Sequence, residues 1–141
     1  MSMFYYVEPE TAGGRGDGTV MDTAVTPPYV SVLEYEFSGW MGDELLESFP
    51  CFVVTLNLAR ALKQNQFTGF TLDTVGIKKA DEFEMMYPSK ILPEFKWLKV
   101  HGVAGSSDFG LSQDRRLVVS DAALKVIQSC GLKHADIEEY S

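Results

Sequence analysis

Two stretches of this chain follow one pattern, in which a Val-Val pair precedes a hydroxyl residue, a run at helical spacing and a second extended run. In the first, Phe52-Val53-Val54 leads to Thr55, then Leu56 to Leu62, then Phe67, Phe70 and Leu72. In the second, Leu117-Val118-Val119 leads to Ser120, then Ala123, Leu124 and Ile127, with Gly131 ending the helix and Leu132 to Ile137 extended. Thr55 and Ser120 stand where a side-chain oxygen can cap the first free N–H groups of a helix. At one constant offset Val54 falls on Val119, Thr55 on Ser120, Leu62 on Ile127, Phe67 on Leu132 and Leu72 on Ile137. This reads as a strand–helix–strand element used twice, although hydroxyl caps after Val-Val are common enough for coincidence to give the same pattern. Either way, each unit must pack one apolar helix face on a sheet. The fold class expected is α+β, a mixed or antiparallel sheet with helices packed on it.

The rest of the chain supplies further short elements. Phe4 to Val7 reads as a strand, and Ala12 to Gly18 as a mobile glycine-rich loop. From Tyr29 to Phe37 the residues alternate with period two, predicting one strand with Glu34 and Glu36 on the same face. Ser38 to Gly42 is a turn, and Asp43 to Ser48 reads as a short helix with acidic residues at its positive end. Asp81 to Met86 predicts a short amphipathic helix stopped near Pro88, and Phe95, Trp97, Leu98 and Val100 a strand. Gly102 to Ser112 reads as a glycine- and serine-rich loop. No segment is long or polar enough to divide domains, so 1–141 is read as a single domain.

The charge is lopsided, with 20 acidic against 12 basic residues and a net charge of −8. Such a surface repels nucleic-acid phosphates and anionic lipid, and it attracts a basic partner. Acidity also serves solubility alone. No apolar run approaches the roughly 20 residues needed to span a bilayer, and no leader segment is visible. Cys51 and Cys130 form no CxxC pair, and buried, reduced thiols in a cytoplasmic protein are the expectation.

Catalytic vocabulary is sparse. The two histidines, His101 and His134, stand in no HxH, HExxH or Cys/His arrangement, so no metal is expected. Gly105-Ser106-Ser107-Asp108-Phe109-Gly110 approaches a G-x-S-x-G elbow but fails its register. Gly14, Gly16 and Gly18 lack the spacing of a phosphate-binding loop. Adjacent carboxylates such as Glu34/Glu36 and Glu138/Glu139 are usually solvated faces. The least implausible catalytic set is His101, Ser107 and Asp108. Neither catalytic residues nor a cofactor are expected, and recognition is the favoured role.

Three stretches carry a resemblance. They are Phe37 to Pro50 (Phe-Ser-Gly-Trp-Met-Gly-Asp-Glu-Leu-Leu-Glu-Ser-Phe-Pro), Leu92 to Val100 (Leu-Pro-Glu-Phe-Lys-Trp-Leu-Lys-Val), and Asp108 to Ser112 leading into Leu117-Val118-Val119-Ser120. Together they resemble a family of bacterial immunity proteins that neutralise polymorphic, contact-delivered or secreted toxins. The resemblance implies a cytoplasmic antidote that binds its cognate toxin tightly, and it fixes neither catalytic residues nor an interface. The candidate contacts therefore come from the chemistry of tight interfaces, which need aromatic anchors and complementary charge. One candidate patch is Trp40, Asp43, Glu44 and Glu47, and the other is Asp81, Glu82, Glu84 and Tyr87. For Trp40 the plainer reading is packing in a turn or core, and for the acidic residues a solvated face. A binding or scaffold module of another pathway, such as an adaptor or regulatory subunit, fits the same surface.

Overall fold

Each Val-Val pair ends a fully buried strand, and the hydroxyl that follows caps a helix: Thr55 Oγ1 accepts from Leu58 N at 3.1 Å, and Ser120 Oγ from Ala123 N at 3.2 Å. The computed structural model describes residues 3–25 and 28–140. Along the chain these form β1 (Phe4–Glu8), β2 (Gly13–Arg15), β3 (Val20–Asp22), β4 (Tyr29–Val32), β5 (Glu34–Phe37), β6 (Leu45–Ser48) and β7 (Cys51–Thr55). Then come α1 (Leu56–Gln64), β8 (Phe70–Asp73), β9 (Gly76–Lys79), α2 (Asp81–Met86), β10 (Phe95–Val100), β11 (Phe109–Leu111), β12 (Leu117–Ser120), α3 (Asp121–Gly131) and β13 (Asp136–Glu139). The architecture is α+β in one domain, as the periodicity predicts.

The two units have one topology. The first sheet runs β6-β7-β10-β8 and the second β11-β12-β1-β13. In each, the strands before and after the helix flank a central antiparallel strand, and a short strand covers the far edge. Even the registers agree: Leu72 faces Leu98 as Ile137 faces Val7, and Leu45 faces Val54 as Phe109 faces Val119. The central strands are exchanged between the sheets, since β1 completes the second and β10 the first. Carboxylates tie the edges in matching ways. Glu44 accepts from the Thr55 hydroxyl, and Asp108 Oδ1 accepts from the Ser120 hydroxyl at 2.8 Å.

Both helices and both sheets close on one core, which holds Leu58 and Leu62 of α1, Ala123 and Ile127 of α3, and Val54, Val119 and Phe109 from the strands. The first sheet is covered on its other face too. There Leu46, Cys51, Val53, Phe95 and Trp97 meet Tyr35, Phe37 and Phe83 in a second core. That second layer is the three-stranded sheet β2-β5-β9, in which β5 and β9 run parallel, together with α2 and the ribbon β3-β4.

Several sequence expectations change on this scaffold. Asp43 to Ser48 is not a helix: from Leu45 it is β6, because Leu45 fills the first core and Leu46 the second, an alternation across a sheet. The run Tyr29 to Phe37 is two strands that break at buried Leu33, where the chain leaves the ribbon for the three-stranded sheet. Within the loop expected at Ala12 to Gly18, β2 pairs with β5, and a Cβ on Gly13 would meet the Glu36 carbonyl oxygen at 1.8 Å, so only glycine fits. The loop expected at Gly102 to Ser112 likewise contains β11.

Candidate partner-binding face

The segment from α2 to Pro93 turns Phe83 and Leu92 toward the second core and leaves both acidic and large apolar side chains exposed. Phe83 is fully buried, edge-on to Phe37 with ring centroids 6.4 Å apart, and Tyr87, one turn later, lies 5.4 Å from it. A helix this short holds a single face against the core, so its other residues point outward. Met85 is 82% exposed and Met86 67%, and Ile91 beyond them is 88% exposed. Asp81, Glu82 and Glu84 occupy the first turn, where the helix dipole favours negative charge.

Lys90 joins this segment to the turn at Trp40. Its Nζ donates to the Trp40 carbonyl at 3.1 Å and stands over both the Trp40 ring (5.1 Å) and the Tyr87 ring (5.3 Å). Such cation–π contacts contribute roughly 0.5–1 kcal/mol each where exposed. Trp40 is fixed from below by Phe95, edge-on at 5.8 Å, and by donation of its indole N–H to the Asp43 carbonyl at 2.8 Å. Next to it Met41 is 64% exposed, its backbone N–H held at 2.9 Å by Glu10 Oε2. The result is a methionine-rich apolar face on a pinned backbone with an acidic rim.

The structure thus joins Trp40 to Tyr87 through Lys90, keeps Asp81, Glu82 and Glu84 exposed on the helix that leads to Tyr87, and gives the other three candidates different work. Asp43 is buried, and its two carboxylate oxygens accept from the backbone N–H groups of Lys133 (2.9 Å) and His134 (2.7 Å), locking the start of β6 to the loop after α3. With 2% of its surface exposed it has nothing to offer a partner. Glu44 is held by the Thr55 hydroxyl and, at 3.0 Å, by the Asn57 amide. Glu47 sits half-buried on β6, where burial and the neighbouring Glu8 carboxylate raise its carboxyl above the usual range. Met41, Met85, Met86, Lys90 and Ile91 are the members missed in the sequence. The pair Met85-Met86 after an acidic turn was their one visible signal.

The possible catalytic residues are engaged elsewhere. The Asp108 carboxylate accepts from Thr68 N, the Thr68 hydroxyl and the Ser120 hydroxyl. Ser107 Oγ accepts from Val103 N at 3.1 Å, and no hydrogen bond links either residue to the His101 ring among the described residues. Cys51 is free and buried, its thiol pushed up to about 11 by desolvation, and the Cys130 thiol is raised by the same cause. Among the described residues no three His, Cys, Asp or Glu side chains gather to hold a metal, and no helix is long and apolar enough to cross a membrane. No protein-family model matches the sequence, and no curated protein matches it significantly.

Proposed function

We propose that this chain is an immunity protein, which binds a cognate bacterial toxin in the cytoplasm and neutralises it by tight association through the face around α2. The observation that carries this reading is the exposure of Met41, Met85, Met86 and Ile91 together, beside the acidic turn Asp81, Glu82 and Glu84. Large apolar side chains gathered on one face and rimmed by polar residues mark interaction sites. Methionine suits such a face because its flexible, polarizable chain adapts to a partner's contour.

Charge supports the same reading. The net charge of −8 and the acidic rim complement a basic surface, such as the cleft of a toxin that acts on nucleic acid or nucleotides. Complementary fields carry association toward roughly 10⁸–10⁹ M⁻¹s⁻¹ at low salt, which serves an antidote that must act before its toxin does. The test is co-expression with the product of the neighbouring gene. The expected outcome is rescue of growth and a stable complex on gel filtration. A neighbouring product that is harmless by itself, or a partner unrelated to any toxic effect, would favour an adaptor or regulatory module instead.

A further inference from the structure

The two matching units are built alike but charged in opposite senses along one face. In the first unit a groove of about 420 Å³ opens between α1 and the end of β8. Its wall is apolar, formed by Leu56, Ala59 and Leu72, and Arg60, Lys63 and Lys96 converge on it. Asp73 also lines the groove, but its carboxylate is taken by Lys99 Nζ at 3.1 Å and by Thr74 N at 2.8 Å. Lys96 pairs only with the exposed Glu94, at 3.4 Å, and Arg60 and Lys63 make no salt bridge among the described residues.

At the offset that superimposes the units, the second unit places Asp121, Lys125, Gln128 and Glu138 where the first has Leu56, Arg60, Lys63 and Asp73. Register puts Tyr5 opposite Val119 as Lys96 is opposite Val54, so the third cation is lost there as well. The one cation the second unit keeps is neutralised, Lys125 pairing with Asp121 at 3.0 Å. A leucine at position 56 leaves Arg60 without that partner. The first unit thus holds three cations where the second holds one, and lacks the counter-charge that Asp121 supplies there, in a chain whose net charge is −8. Solubility does not call for this arrangement, and it opposes the field of the rest of the surface.

We propose that this groove binds an oligophosphate group, either free or carried on a nucleoside. Three cations exceed what a single carboxylate calls for, and the planar guanidinium of Arg60 suits a pair of phosphate oxygens. The volume lies within the roughly 300–1,000 Å³ of small-molecule sites, and the apolar wall offers a surface to a ring. The groove adjoins the turn at Trp40, because Leu56 and Arg60 also line a hollow with Trp40 and Pro93, but its assignment does not depend on the role proposed for the α2 face.

Calorimetric titration of the full chain at low ionic strength, with ATP and with inorganic tripolyphosphate, tests the proposal. Both are expected to bind. A tighter ATP would assign the site to nucleotides, and equal affinity to the polyphosphate itself. The double substitution Arg60→Ala/Lys63→Ala, at two exposed positions, is expected to weaken ATP binding by roughly tenfold or more. Lys125→Ala, on the equivalent face of the other unit, should leave it unchanged. Absence of binding by either phosphate, or an affinity unaltered by the double substitution, would overturn the assignment.

Discussion

Asp43→Ala tests how the two matching units are held together. The carboxylate is buried and accepts two backbone N–H bonds, 2.9 and 2.7 Å long, from Lys133 and His134. Both bonds cross from the first unit to the loop that ends the second helix. Hydrogen bonds to a charged group contribute on the order of 1.5–3 kcal/mol each, and donors left unsatisfied add their own cost. A water entering the space vacated by the carboxylate recovers part of the loss, so a destabilisation of about 3 kcal/mol is expected. That is a large fraction of the roughly 5–15 kcal/mol that holds a domain folded. Urea denaturation reads it as a lower midpoint at an unchanged slope, and a thermal melt as a fall of roughly 10 °C. Asp43→Asn keeps one acceptor but turns an amide N–H₂ toward the second donor, so it should fall between wild type and alanine. A loss below about 1 kcal/mol for Asp43→Ala would show that these bonds do not clamp the units, and the reasoning would fail.

Two further outcomes follow. Glu82→Lys/Glu84→Lys alters only exposed positions in the first turn of α2, so stability should fall by no more than about 1–2 kcal/mol, while association with a basic partner slows by roughly tenfold or more at low salt, a difference that shrinks as salt rises; a thermal melt reads the first and stopped-flow mixing the second. Glu47 has its carboxyl raised above the usual 4.5, so the folded state disfavours its ionised form: the penalty is absent well below pH 4.5, grows as pH rises through that value, and is complete above the folded value. Glu47→Gln should therefore raise the urea midpoint at pH 7 and converge on wild type near pH 4, with equal midpoints at pH 7 counting against the desolvation argument.

Much of the fold is legible in the residues because its strongest signals are local. Val53-Val54-Thr55 and Val118-Val119-Ser120 carry β-branched burial, a cap and helical spacing within a few positions, and both units form as read. What escapes is decided at long range. The Leu45-Leu46 pair after two acidic residues has the look of a helix start, and only a sheet with a core on each face sends the two leucines in opposite directions. The exchange of β1 and β10 leaves no trace in either strand's own sequence. Of the candidate face, Trp40, Tyr87 and the α2 carboxylates are readable as an aromatic and acidic set. Asp43 carries the same chemistry in sequence, and burial alone assigns it to the fold. Met85 and Met86 are visible as residues, but no periodicity over so short a helix tells which side they take.

The binding role is tested most directly by gel filtration of the chain co-expressed with its neighbouring gene's product, comparing wild type with Met85→Glu/Met86→Glu. Both methionines are exposed, so the variant should fold, at the small cost of acidic side chains in the last turn of α2. The account predicts a stable complex for the wild type, and free components with loss of growth protection for the variant. A variant complex as stable and as protective as the wild type would place the interface elsewhere and contradict it.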